Sequence, residues 1–130
     1  MQSIKSFTDL PQSKKLAEIL PLESADMVYV YTVDLEGDEH YNIDFRNNQP
    51  LFEDDISAWS LAALLEQLPY EVVDDEGGSM YLSMNKDDDM YQLIYSDRYE
   101  DYDSIETDRY EHFVDACYEI IIKLKEMDLL

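Results

Sequence analysis

The stretch MVYVYTVDLEGDEHYNIDF, residues 27–45, carries the strongest structural signal in this chain. Residues 27–34 are rich in valine and tyrosine and are apolar on both faces for most of their length, which predicts a central strand of a sheet. Residues 39–45 alternate apolar and polar side chains, as a half-buried strand does. Gly37 supplies a turn between them, so the stretch predicts a β-hairpin.

A short helix is predicted before this hairpin, at residues 11–20 (PQSKKLAEIL). Asp9 is positioned to cap it, because an aspartate side chain can accept hydrogen bonds from the first free N–H groups of a helix. Pro11 falls in the first turn, where the N–H that proline lacks has no partner inside the helix. The capping residue and the proline therefore place the helix start.

A second helix is predicted at residues 56–69 (ISAWSLAALLEQLP), with Asp54 or Asp55 as its cap. Its apolar side chains form one wide stripe, so we expect this helix to be largely buried. Trp59 lies on the stripe, and large aromatic side chains contribute much of the apolar area in protein cores. We therefore interpret Trp59 as a core residue, with stacking against a ligand as the alternative.

Three short strands are predicted after the second helix, at residues 70–73, 79–84 and 90–95, separated by DDEGG and KDDD turns. A last helix, about residues 109–127, follows from apolar residues at helical spacing. The predicted order is α-β-β-α-β-β-β-α. This order indicates an α+β fold, with an antiparallel sheet of about five strands and three helices in one globular domain, residues 1–130.

The chain is strongly acidic: 31 Asp and Glu residues against 9 Lys and Arg residues give a formal net charge of −22. Because phosphate binding requires the opposite sign, we expect no direct binding to nucleic acid or to an anionic membrane. The electric field of the protein favours a basic protein partner, since it accelerates their encounter. The alternative is that the charge only keeps the protein soluble.

The sequence also predicts a compartment. No run of residues approaches the eighteen apolar positions of a membrane span, and the first residues lack the apolar region of a signal peptide. The single cysteine, Cys117, excludes an internal disulfide bond. We therefore expect a cytoplasmic protein.

Three blocks of the sequence resemble a family of small uncharacterised acidic proteins that are common in gut Bacteroidales genomes and their mobile elements. The blocks are LPLESADM (residues 20–27), AWSLAALLEQLP (58–69) and VDACYEIIIKLKEMDLL (114–130). The family often has Asn-Pro where this chain has His112 and Phe113, and methionine in place of Ile120. The resemblance implies a bacterial protein associated with mobile elements, and it brings no agreed activity.

Catalysis is not predicted. Cys117 lies on the apolar side of the last helix, and His112, five residues earlier, would be about 140° away around that helix. This pair therefore does not form a nucleophile with its base. The chain has no GxSxG, phosphate-loop, GxGxxG or HExxH motif. We expect no enzyme, no catalytic residue and no cofactor.

Two acidic turns, residues 74–76 (DDE) and 87–89 (DDD), offer the oxygen ligands that calcium and magnesium prefer. Both turns flank the same predicted strand, so they lie at its opposite ends. Neither has the glycine at the position that an EF-hand loop requires. Solvated turns without a metal are therefore the prediction, and a small enzyme or Ca/Mg-binding protein is the class ranked third.

Residues 96–111 (SDRYEDYDSIETDRYE) combine carboxylates with tyrosines. In one interpretation they lead into the last helix, capped by Thr107 or Asp108. In the other they form a binding face, because tyrosine suits interfaces and carboxylates bind Arg and Lys. The candidate partner-binding residues are Tyr99, Glu100, Asp101, Tyr102, Asp103, Glu106, Asp108 and Tyr110.

The predicted function is therefore an acidic protein-interaction module for a basic protein partner. Its most specific form is a nucleic-acid mimic of mobile-element origin, such as an anti-restriction or anti-nuclease factor. The alternative is a small accessory or immunity-type protein that binds through its sheet face or the tyrosine-rich segment without mimicry. The oligomeric state stays open at this level.

Overall fold

The computed structural model describes residues 4–47, 51–97 and 104–130. These ranges contain three α-helices and two antiparallel sheets, which confirms the predicted α+β class. The elements belong to two compact units, one of residues 6–63 and one of residues 64–130 together with Lys5. A single domain spanning the whole chain stays a prediction.

The first unit is built on a sheet with strand order β2-β1-β3. Its elements are α1 (Leu10–Ala17), a 3-10 helix (Leu22–Ser24), β1 (Met27–Val33), β2 (Glu39–Phe45) and β3 (Ile56–Ala58). β1 is the central strand, as its apolar character on both faces predicts, and it pairs antiparallel with both neighbours.

The start of α1 follows from its capping residue. The Asp9 carboxylate accepts the Gln12 N–H at 2.9 Å, and the Gln12 side chain accepts the Asp9 N–H at 3.1 Å. This reciprocal pair satisfies two N–H groups at the helix start. Asp9 is therefore the cap, as predicted, and α1 ends at Ala17, short of the predicted end at residue 20.

Trp59 is fully buried and connects distant parts of the first unit. Its indole N–H donates to the Ser24 hydroxyl at 2.9 Å, and its backbone carbonyl accepts the Thr8 N–H at 3.0 Å. The Thr8 hydroxyl in turn accepts the Trp59 N–H at 3.1 Å. The core interpretation of Trp59 is confirmed.

The predicted helix at residues 56–69 is wrong over its first part. Ile56, Ser57 and Ala58 pair with β1 and form β3, so α2 covers only Leu61–Gln67. Hydrogen bonds to a strand 27 residues or more away outweigh the local helical pattern of this stretch. The Ser60 hydroxyl accepts the Ala63 N–H at 3.2 Å, so a serine caps α2. Asp54 and Asp55, the predicted caps, precede β3.

The second unit contains a sheet with strand order β4-β5-β6-β7 and the last helix. The strands are β4 (Glu71–Val73), β5 (Ser79–Asp87), β6 (Met90–Ser96) and β7 (Ile105–Glu106), and α3 (Phe113–Glu126) packs on β6 and β7. The buried side chains of this unit include Leu64, Leu68, Val72, Met80, Leu93, Tyr95, Ile105, Val114, Ala116, Cys117, Ile120, Ile121 and Leu124.

The last helix begins at Phe113, after the predicted start near residue 109. The cause is a bridge between Tyr91 and Tyr110, whose backbones exchange N–H to O hydrogen bonds of 2.6 and 2.8 Å and hold this segment extended. Thr107 does not cap the helix, because its hydroxyl accepts the Leu93 N–H at 3.1 Å. His112 occupies the N-cap position instead, without a side-chain hydrogen bond.

Candidate protein-interaction surfaces

The hairpin of β1 and β2 carries charge of a single sign. Residues 33–45 contain no Lys or Arg. Five exposed carboxylates lie in this stretch: Asp34, Glu36, Asp38, Glu39 and Asp44. The ion pairs among described residues are Lys5 with Asp115, Lys15 with Glu18 and Arg109 with Asp87, and none of them involves the hairpin. Its negative charge is therefore not neutralised by these cations.

Asp34 shapes the loop of this hairpin. Its carboxylate accepts the N–H groups of Glu36 and Asp38, both at 2.9 Å, and the Asp34 N–H donates to the Asp38 carbonyl at 3.0 Å. Gly37 has φ of 87°, a conformation that glycine adopts without strain. The remaining acidic side chains of the loop accept no hydrogen bond within the described part of the chain, so they face solvent.

The outer edge of β2 is a second feature of this hairpin. Antiparallel pairs alternate between hydrogen-bonded and non-hydrogen-bonded residues. The bonds Asp34 N–H to Asp38 carbonyl and Arg46 N–H to Asp26 carbonyl place the even-numbered residues of β2 in the bonded pairs. The backbone groups of residues 39, 41, 43 and 45 therefore point away from β1, and no strand in residues 4–47, 51–97 and 104–130 pairs with them.

A tyrosine pair lies beside this edge. Tyr31 and Tyr41 are opposite residues of β1 and β2, and their rings meet edge to face with 5.7 Å between centroids. A hydrogen bond to Glu39 raises the pKa of Tyr31 to about 12, with partial burial and the negative charges of Glu39 and Asp54 adding to the shift. The Tyr31 hydroxyl therefore donates to Glu39 and orients that carboxylate at the start of β2.

Apolar side chains lie near the far end of β2. Phe45 is 69% exposed and Phe52 is 80% exposed. An open cleft of about 260 Å³ is lined by both rings and by Val28 and Val30 of β1. Contiguous exposed apolar groups can mark binding surfaces. The hairpin thus combines carboxylates with a small apolar area.

The second unit repeats part of this pattern. The Asp74 carboxylate accepts the N–H groups of Glu76 at 2.9 Å and Gly78 at 2.7 Å, so this acidic turn, like the first hairpin loop, is held by one aspartate. The other acidic turn, residues 87–89, ends β5. The two turns lie at opposite ends of β5, as predicted. Within the described ranges, no cluster of His, Cys, Asp or Glu side chains is arranged to hold a metal ion.

One face of the second sheet points away from α3 and carries little charge, and we call it the open side. Lys86 and Tyr91, which stack at 5.1 Å, lie on the side of α3, so the alternate residues of β5 and β6 point away from that helix. Eight of these nine side chains are uncharged and the ninth is Asp87; the uncharged ones are Ser79, Tyr81, Ser83, Asn85, Met90, Gln92, Ile94 and Ser96. This face differs in kind from the acidic hairpin.

Five predicted partner-binding residues, Tyr99, Glu100, Asp101, Tyr102 and Asp103, lie outside the described residues. The other three are divided between the two sides of the second sheet. Glu106 is exposed opposite Ile94, on the open side. Tyr110 bridges to Tyr91, whose ring stacks on Phe113 of α3 at 5.2 Å, so it lies on the helix side.

Asp108 and Tyr110 meet at Glu119 of α3. The Asp108 N–H donates to the Glu119 carboxylate at 2.8 Å. Burial raises the pKa of Tyr110 above its ordinary value, and the nearby charges of Glu119 and Asp108 and a hydrogen bond to Glu119 add to the effect. These contacts anchor the segment to the helix. The Glu106 side chain lies on the other side of the sheet, and its backbone carbonyl accepts a hydrogen bond from the Lys123 ammonium of α3 at 2.6 Å.

The positions and burial of Cys117, His40 and His112 do not indicate a reactive thiol–imidazole pair. Cys117 is fully buried in α3, and burial raises the pKa of its thiol to about 12, so it is protonated at neutral pH. His40 is exposed on β2, as predicted, and His112 lies at the start of α3.

Sequence reasoning missed the outer edge of β2 as a candidate surface. The signal was present in the alternating stretch EHYNIDF, but strand order, which decides whether a strand lies at an edge, is not readable from alternation.

Comparisons of the chain with protein-family models, with curated proteins and with solved structures found no match. Among the helices of the described residues, none has the length and apolar character needed to cross a membrane.

Proposed function

We propose that this chain is an acidic protein-interaction module that binds a basic protein partner. The observation that carries the proposal is the hairpin of residues 33–45, where five exposed carboxylates occur without a Lys or Arg. Surfaces of a single sign attract oppositely charged proteins and accelerate their association. A surface required only for solubility would be served equally well by carboxylates interspersed with cations.

Nucleic-acid mimicry is the most specific form of this proposal. Carboxylates on a protein surface can take the place of phosphates when a DNA-binding protein presents its Lys and Arg side chains. The net charge of −22 supports this form, and the resemblance to proteins of mobile elements fits an anti-restriction or anti-nuclease role. In this proposal the chain is cytoplasmic, is not an enzyme and needs no cofactor.

The second candidate is an accessory or immunity-type protein that binds without mimicry. The face of β5 and β6 that points away from α3 supports it, because most of its side chains are uncharged and interfaces in general are depleted of charged residues at their centre. Association through that face would depend weakly on salt, whereas association through the hairpin would weaken steeply as salt screens the charges.

The test is affinity capture from a lysate of the native host, with three baits. One bait is the natural protein, one carries Glu36→Lys and Asp38→Lys, and the matched control carries Asp75→Lys and Glu76→Lys in the other hairpin loop. We expect a basic protein to be retained by the first and third baits, to be lost from the second and to be released at about 0.5 M salt. Competition by DNA would support mimicry.

Two results would count against these proposals. Retention of one partner by all three baits at high salt would favour the second candidate and overturn the first. Absence of any retained protein on the natural bait would remove both.

A further inference from the structure

We propose that the outer edge of β2 is the docking site, and that it takes an extended basic segment of the partner as an additional strand of the sheet. This inference rests on the function proposed above and specifies where and how the partner binds. Strand addition at a free sheet edge is a general mode of peptide recognition, in which backbone hydrogen bonds supply affinity and alternate side chains supply specificity.

The length and regularity of β2 support this site. β2 has seven residues and pairs with β1 along its whole length without interruption. An edge of this length presents a row of N–H and C=O groups that is a template for another strand. The corresponding edge of the second sheet is interrupted, because β4 has only three residues and pairs only with the start of β5.

The charge of the hairpin selects the occupant. A second copy of this chain would bring the same five carboxylates against this edge, and the repulsion would oppose pairing. A strand with Lys or Arg at alternate positions would be attracted instead. Acidic residues that protect an edge from self-association therefore also make it selective for a basic strand.

The two sides of β2 differ and so constrain the sequence of the added strand. Glu39, Tyr41, Ile43 and Phe45 lie on one side of the sheet. His40, Asn42 and Asp44 lie on the other. Side chains of neighbouring strands pair across the same side of a sheet. The partner strand would place apolar residues beside Tyr41 and Ile43, and basic residues near Glu39 at one end of the ladder and near Asp44 at the other, where both carboxylates are exposed.

The far end of the edge is closed. The Asp44 carboxylate accepts the Phe45 N–H at 2.8 Å, so this outward donor already has a partner. The outward N–H groups of Tyr41 and Ile43 have no such acceptor among the described residues. The new ladder would therefore run along residues 39–43 and stop before Phe45.

The probe is an end-blocked seven-residue peptide of alternating Lys and Val, and its control is the same peptide with N-methyl groups on the amides that would face β2. Binding is followed by calorimetry and by hydrogen exchange of the Tyr41 and Ile43 amides.

Two protein variants, one in each sheet, are compared with the natural protein. Ile43→Pro removes an outward N–H of β2, and Val73→Pro removes the outward N–H at the corresponding edge position of β4. Thermal unfolding checks that both variants fold.

We expect the probe to bind the natural protein and to slow exchange of the Tyr41 and Ile43 amides. N-methylation and Ile43→Pro should each weaken binding about tenfold or more, which is the loss of about 1.4 kcal/mol. Val73→Pro should leave the affinity unchanged. If Ile43→Pro fails to fold, the N-methylated peptide and the exchange data on the natural protein still test whether the probe binds as an added strand.

Two other outcomes would overturn the inference in distinguishable ways. Salt-sensitive binding that survives both N-methylation and Ile43→Pro would exclude strand addition and leave the proposed basic partner standing. Failure of the probe to bind, together with an empty affinity column for the natural bait, would remove the proposed function as well.

Discussion

Asp34 and Asp74 hold two hairpin loops in the same hydrogen-bonded arrangement. Each carboxylate accepts the N–H groups two and four residues further along the chain, and each backbone N–H donates to the carbonyl of the fourth residue. Gly37 and Gly77 stand at the same place with φ of 87° and 82°. The two loops therefore have one design and three carboxylates each, and they differ in where the third carboxylate lies: at the last position, Asp38, in one and at the second position, Asp75, in the other.

We predict that Asp34→Ala and Asp74→Ala each lower the free energy of unfolding by about 1 kcal/mol, because two N–H groups lose their charged acceptor. Urea denaturation measures the change. The matched control is Asp38→Ala, which removes a charge without removing an acceptor, so it should be neutral or slightly stabilising in so acidic a protein. Equal losses for all three variants would contradict this account.

Trp59→Ala should destabilise the protein by about 3–5 kcal/mol, because a large, fully buried side chain is lost and leaves a cavity. Trp59→Phe keeps most of the ring and loses the hydrogen bond to Ser24, so its effect should be smaller. Equilibrium denaturation followed by circular dichroism compares them. A near-neutral Trp59→Ala would place the indole at the surface and reopen a role in binding.

His112→Ser should stabilise the protein by about 0.5–1 kcal/mol. His112 has the extended backbone of an N-cap residue but makes no capping hydrogen bond, and a serine hydroxyl there can accept a free N–H of α3. Thermal unfolding is the measurement. Glu111→Ser, one residue earlier, is the control and should show no such gain; a gain of the same size there would mean that capping is not the cause.

Stability should fall with rising pH because of Cys117. Its thiol has a pKa of about 12 in the folded protein against an ordinary 9.0, so the unfolded chain releases this proton first. Between these pH values the unfolded state binds fewer protons than the folded state, and the free energy of unfolding decreases as pH rises.

The Cys117→Ala variant isolates this effect. It lowers the free energy of unfolding at every pH by leaving a cavity, and it removes the contribution of the thiol to the slope of that free energy against pH. That contribution approaches about 1.4 kcal/mol per pH unit between the two pKa values. The readout is the slope of the free energy of unfolding against pH. Parallel slopes for the two proteins would show that the thiol is not protected from ionisation.

The parts of the fold that were predictable depend on local signals. Asp9 and Pro11 place the start of α1, and the alternation in residues 27–45 predicts the first hairpin, because capping and strand period act over a few residues. β3 and β7 were missed because three and two residues are too few to show a period. Their pairing partners, which are distant in sequence, determine them.

The candidate surface was less predictable than the fold. Composition shows an acidic protein, but which carboxylates share a surface depends on strand order and on pairing. Glu106 and Tyr110 are four residues apart, and the strand pairing places them on opposite sides of a sheet. The hairpin of residues 33–45 forms one surface because its two strands are adjacent in sequence, a relationship that the sequence does contain.

The contacts of Trp59 with the N-terminal segment also determine when the first unit can form during synthesis. Thr8 is paired with Trp59, and the Ser6 carbonyl accepts the Leu61 N–H at 2.9 Å. A ribosome adds residues in order, so the backbone hydrogen bonds of Thr8 with Trp59 and of Ser6 with Leu61 cannot form until residue 61 has left the exit tunnel. The N-terminal segment of the nascent chain must therefore wait for these two bonds through the translation of more than fifty further residues.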